Sequence, residues 1–137
     1  MQRWIQKKRK TFASTNNIVL KKEYNDYYKF FTGLLNSKLM NWFYSNNFSN
    51  NSNLTVNISK TFLETLSIPK IPKSQQKPFE TLVDKIISKK EAGEETTAEE
   101  REIDLMVYKL YNLTYEEVKI IDPTFALTEK KYEEFKL

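Results

Sequence analysis

SIPKIPKSQQKPFETLVDK, residues 67–85, holds three of the four prolines in a chain of 137 residues. A residue that precedes proline is pushed out of the helical region, so Ile68 and Ile71 are expected on extended backbone. Beyond Pro72 the pattern changes. Ser74 or Gln75 is placed to cap a helix whose first turn contains Pro78, where a missing N–H costs least. Phe79, Leu82, Val83, Ile86 and Ile87 follow at helical spacing and make one apolar stripe. The stretch is a stiff, extended junction that runs into a helix.

On its C-terminal side the chain reads as helical. EAGEETT, residues 91–97, turns the backbone, and Thr97 with Glu100 predicts a capping box. Ile103, Met106, Val107, Leu110 and Tyr111 repeat the apolar spacing. Phe79 to Lys90 and Ala98 to Leu113 are therefore expected to pair as an antiparallel helical hairpin. Thr114 with Glu117 forms a second capping-box pattern, opening a short helix that Pro123 ends, and Thr128 begins a last one.

On its N-terminal side the reading is mixed. Ser14, Thr15, Asn16 and Asn17 make a turn between Phe12 and the apolar run Ile18, Val19, Leu20, which predicts a strand or hairpin leg. Tyr24, Tyr27, Tyr28, Phe31, Leu35, Leu39, Trp42 and Phe43 recur in steps of three and four, predicting one long helix. Gly33 inside it marks a close approach or a break. Leu54, Val56 and Ile58 alternate with Thr55 and Asn57 as in a short strand. The expected fold class is α+β. It is mainly helical, with a small β element in the N-terminal half and a C-terminal antiparallel hairpin plus short helices. Residues 1–73 are expected to form a mixed α/β lobe and residues 74–137 a helical spacer or docking region.

Composition narrows the chemistry. The chain has no cysteine and no histidine, which removes thiolate and imidazole metal sites and every Ser-His or Cys-His nucleophile system. Its only glycines are Gly33 and Gly93, too few for a loop that cradles a phosphate or a cofactor. Glu94, Glu95, Glu99, Glu100 and Glu102 cluster at a turn and a helix start, where carboxylates complement the helix dipole. Asp84 beside Lys85, and Asp104 near Lys109, lack the further partners of a nuclease site. No apolar run reaches a membrane span, the N-terminus does not read as a signal peptide, and the five Asn-x-Ser/Thr matches are taken as accidental. A cytoplasmic protein is expected.

The charge is uneven. Residues 1–50 carry nine Lys/Arg against two Asp/Glu, whereas residues 92–137 carry six against twelve. A basic front suggests a surface for a polyanion. Lys and Arg neutralise phosphates, and Asn and Arg can read base edges. The candidate DNA-binding residues are Arg3, Lys7, Lys8, Arg9, Lys10, Asn16, Asn17, Lys21 and Lys22, with Lys60, Lys70 and Lys73 as flanking candidates. Tyr24, Tyr27 and Tyr28 read as core rather than as a stacking platform.

Three motifs carry a family resemblance: LLNSKLMNWFY, then LETLSIPKIPKSQQKPFETLVDKIISKKE, then EREIDLMVYKLYNLTYEEVKIID. Over roughly Phe12 to Asp122 the chain resembles the C-terminal part of the TaqI-like specificity domain. That domain is found in type IIG restriction–modification enzymes and adenine-specific DNA methyltransferases. The resemblance implies a DNA target-recognition lobe held at fixed orientation to a helical docking element. In such enzymes a methyltransferase domain precedes this region, with a glycine-rich cofactor loop and an Asn-Pro-Pro-Tyr-type motif. Neither motif occurs in this sequence, and most of the recognition lobe would lie upstream of Met1. The chain is therefore expected to be a C-terminal fragment or an isolated remnant, non-catalytic by itself. S-adenosylmethionine and Mg would belong only to the missing domains. The implied partners are double-stranded DNA and the methyltransferase or nuclease domain of the parent enzyme, with a second copy of the chain as a further candidate. The alternative is a helical protein-interaction module of a restriction–modification system that does not touch DNA.

Overall fold

The computed structural model describes residues 19–47 and 64–137, and these are helical throughout their regular elements. A 3-10 helix, Lys22–Tyr27, leads into α1 (Tyr28–Leu35) and α2 (Lys38–Asn47). The extended junction follows, then α3 (Lys73–Glu91), α4 (Thr97–Leu110), α5 (Tyr115–Ile121) and α6 (Glu129–Glu134). The β element expected in the N-terminal half is not present among the described residues. Val19 and Leu20 lie on irregular backbone, and Val19 is 88% exposed. A strand needs a neighbour to take its hydrogen bonds, and here the backbone enters the 3-10 helix at once. The rest of the first expected element, from Phe12 to Ile18, and the second expected strand, residues 54–58, lie outside the described residues.

The long helix expected from Tyr24 to Phe43 is divided, at Asn36 and Ser37 and not at Gly33. Ser37 is fully buried; its hydroxyl donates to the Leu34 carbonyl (2.7 Å) and accepts from the Met40 N–H (3.3 Å). That makes Ser37 the cap of α2. The Lys38 N–H, another donor left without a partner at a helix start, is taken by Asp104 Oδ1 of α4 at 2.8 Å. The break is thus held by a residue 66 positions away. Gly33 is instead a close approach. A Cβ there would meet Val83 Cγ2 at 3.2 Å and Ile103 Cδ1 at 3.7 Å.

This contact sets the main core. Phe30, Leu34 and Met40 from α1 and α2 interleave with Phe79, Leu82, Val83 and Ile86 of α3 and with Ile103, Met106 and Val107 of α4. The rings of Phe30 and Phe79 meet edge to face at 5.1 Å. A second cluster joins Tyr108, Val118 and Tyr132, with Phe125 edge-on to both tyrosine rings at 5.8 Å. Leu39 packs against both clusters and links them.

Helix ends follow local rules in places and depart from them in others. α3 ends in a Schellman turn: Gly93 adopts φ +74, its N–H reaches the Lys90 carbonyl, and the Glu94 N–H reaches Lys89. α4 ends the same way with Asn112 at φ 53. The Thr114–Glu117 capping box forms in both directions, and Thr128 caps α6. The Thr97–Glu100 box does not form. Thr96 is the cap residue and donates its hydroxyl to Glu100, while Thr97 bonds Glu95. α3 begins at Lys73 behind Pro72, so Ser74 and Gln75 lie inside the helix and Pro78 is its sixth residue, not part of the first turn.

Ile86 has no exposed surface, and Ile86→Ala should destabilise the fold by about 2–5 kcal/mol. Leu110 is only half buried, so Leu110→Ala should cost less. Urea unfolding midpoints of the two variants check this order, and equal losses would contradict it.

Candidate functional site

The extended junction, Ser67–Pro72, is pinned from both sides. Ile71 is buried in the main core, and its carbonyl accepts from the side-chain amide of Gln76 at 2.9 Å. Gln76 is itself 1% exposed. The Tyr111 hydroxyl, at the end of α4, donates to the Ser67 carbonyl at 2.8 Å. Burial pushes the Tyr111 phenol up to about 12, so it remains a donor across the neutral range. Two prolines limit the backbone, and two side chains fix where it lies.

This placement brings together four of the sequence-predicted residues. Lys21 and Lys22 start the 3-10 helix, where the Lys21 carbonyl accepts from the Tyr24 N–H at 2.8 Å. Lys70 lies over the Tyr24 ring with its ammonium 5.9 Å from the centroid. Lys73 pairs with Asp26 at 3.2 Å. All four lysines are exposed, and they border one short helix. Arg3, Lys7, Lys8, Arg9, Lys10, Asn16, Asn17 and Lys60 lie outside the described residues. Lys77 is exposed one turn beyond Lys73 and pairs with Glu80 at 3.7 Å; its i+4 spacing from Lys73 was the signal that could have placed it here. Of the three tyrosines expected in the core, Tyr27 packs against it and Tyr24 is half buried, but Tyr28 is 52% exposed.

The glutamates at the α3–α4 turn are partners of lysines. Glu99 is 4% exposed and accepts from Lys89 at 2.7 Å and Lys85 at 2.9 Å, while Glu100 meets Lys90 at 3.0 Å. The two lysines hold the Glu99 carboxyl down at about 2. Asp84, read beside Lys85, pairs with Lys29 of α1 at 2.7 Å. Among the described residues no group of three or more His, Cys, Asp or Glu is placed to hold a metal ion. Also among them, no helix is long and apolar enough to cross a membrane.

A second polar cluster lines a cleft between the start of α2, α4 and the α5–α6 connection, with Arg101, Phe125 and Leu127 at its walls. Lys38 is held twice, by Asp104 at its backbone N–H and by Asp122 at its ammonium (3.0 Å). The two carboxylates behave oppositely. Burial raises Asp104 to about 6, against the opposing pull of Lys38 and with reinforcement from Asp122 and Glu100. Burial would raise Asp122 as well, but the Thr124 hydroxyl and Lys38 outweigh it and leave that carboxyl below the usual aspartate value. The neighbouring Tyr108 phenol is pushed up by burial and by both carboxylates.

Residues 2–68, just under half of the chain, match the family model of the TaqI-like C-terminal specificity domain. The match ends where the proline junction begins, whereas the resemblance read from the motifs extended to Asp122. No curated protein and no solved structure matches the chain.

The opposed carboxylates give a pH test. A group whose carboxyl is raised on folding stabilises the fold when protonated, and that contribution is lost as pH rises through its folded value. For Asp104 the loss runs from its ordinary 3.8 to about 6 and reaches about 3 kcal/mol. Glu99 and Asp122 are lowered, and their contributions fade only in more acidic solution, below 4.5 and 3.8. Between pH 5 and 7 the unfolding midpoint should therefore fall as pH rises. Asp104→Asn keeps an oxygen for the Lys38 N–H and should flatten this dependence. A wild-type profile flat across the same range would contradict the assignment.

Proposed function

We propose that this chain is the DNA-binding, target-recognition part of a type II restriction–modification enzyme or adenine-specific DNA methyltransferase, and that it performs no catalysis by itself. The observation that carries the reading is the family match over residues 2–68, which contains ten of the twelve candidate contact residues. Lys70 and Lys73 follow directly after it, and the exposed lysines around the 3-10 helix supply cations of the kind that phosphates require. In this reading the partners are double-stranded DNA and a methyltransferase or nuclease domain. S-adenosylmethionine and Mg serve those domains, and the work is done in the cytoplasm. The helical rear, with its excess of carboxylates, faces away from the polyanion and serves as the docking side.

Binding to duplex DNA should weaken with salt, each neutralised phosphate adding about −0.9 to the slope of log affinity against log salt. Replacing Lys7, Lys8, Arg9 and Lys10 together by Ala should flatten that slope. Replacing Lys130, Lys131 and Lys136 should leave it nearly unchanged. Equal losses from the two variants would favour the interaction module instead. The purified chain should transfer no methyl group from a labelled donor to DNA, and transfer above background would overturn the non-catalytic part of the reading.

A further inference from the structure

Residues 1–50 contain only two carboxylates, Glu23 and Asp26, and both sit on the 3-10 helix. Their settings differ. Asp26 Oδ2 lies 3.2 Å from the Lys73 ammonium, across the gap between the 3-10 helix and the start of α3. Lys73 is the first residue of α3, directly after Pro72, so its backbone is fixed by the pinned junction while its side chain remains exposed. Lys70, on the same junction, leans on Tyr24, two residues before Asp26. A carboxylate thus occupies the ammonium of one candidate phosphate contact, while among the described residues the other three candidates around it have no ion-pair partner.

We infer that Asp26 is a built-in counter-ion for Lys73 that competes with a DNA phosphate for the same ammonium and so holds down affinity for non-target duplex. The inference rests on the DNA-binding reading. An exposed pair of this kind is weak, so a phosphate can exchange for the carboxylate. The exchange leaves Asp26 uncompensated beside a polyanion. In the wild-type chain Lys73 therefore adds little to the neutralisation of the backbone, and removing the carboxylate frees it.

The test uses the full chain and a short mixed-sequence DNA duplex over a range of salt concentrations. Asp26→Asn should bind up to about five-fold more tightly at low salt. Its log–log salt slope should steepen by about 0.9, the value of one more neutralised phosphate. The gain should vanish when Lys73→Ala is added, and Glu23→Gln, the same charge change on the same helix, should not reproduce it. An unchanged slope in Asp26→Asn, with wild-type binding intact, would overturn the inference and leave the DNA reading standing. A gain that survives Lys73→Ala, or that Glu23→Gln matches, would mean a general charge effect and would also overturn it. Absence of binding by both wild type and Asp26→Asn at low salt would overturn both readings together.

Discussion

At Gly33, α1 approaches the α3–α4 hairpin so closely that an added Cβ would push Val83 aside by a few tenths of an ångström. The nearest atoms, Val83 Cγ2 and Ile103 Cδ1, would stand 3.2 and 3.7 Å from any Cβ placed there. The close approach sets α1 against both helices at once, where Phe30 meets Phe79 and Leu34 is enclosed completely. Buried apolar side chains contribute roughly 1.5–3 kcal/mol each, and Phe30 and Leu34 are buried at this approach. Gly also costs about 1 kcal/mol in a helix interior relative to Ala, a loss that the close packing offsets. The 3-10 helix continues straight into α1, so the same approach fixes where Lys21, Lys22 and Asp26 sit relative to the start of α3.

The proline junction completes that placement by a different kind of force. Pro69 and Pro72 remove the helical option for Ile68 and Ile71, but they do not say where the extended strip lies. Gln76 and Tyr111 do, through hydrogen bonds to the carbonyls of Ile71 and Ser67. Gln76 is buried, so breaking its bond would be costly and leave a polar group unpaired away from water. The exposed contacts at the same place, Lys70 on Tyr24 and Lys73 with Asp26, are much weaker. The junction therefore has a rigid backbone and exchangeable cations, which suits a surface that must hold position while trading partners.

Much of the helical architecture was legible in the sequence, and what was not has a consistent physical cause. The stripes of α3 and α4 and the Thr114–Glu117 box are local patterns, and they appear where they were expected. The break at Ser37 was hidden because half of its cap comes from Asp104, on a different helix. Glu100 was read as a local cap partner, but Lys90 and Thr96 claim it. The expected strand at Val19 is not formed, because an apolar run makes a sheet only beside a neighbouring strand, and none is present among the described residues. Of the candidate contacts, Lys70 and Lys73 were legible as charges. That they meet Tyr24 and Asp26 depends on the Gly33 approach and could not be read from spacing.

The family match and the packing divide the chain differently. The matched segment stops at Ile68, yet its described helices have no core of their own. Phe30, Leu34 and Met40 are buried by α3 and α4, which lie beyond the match, and the N-terminus of α2 is capped from α4. Lys38 is tied further to Asp122, nearer still to the C-terminus. Among the described residues, the buried side of α1 and α2 is therefore supported from the rear. Any displacement of α3 or α4 would be passed to Lys21, Lys22 and Lys73 through close-packed side chains, because close-packed interiors transmit strain. The matched front and the unmatched rear thus share one core, and neither can shift without the other.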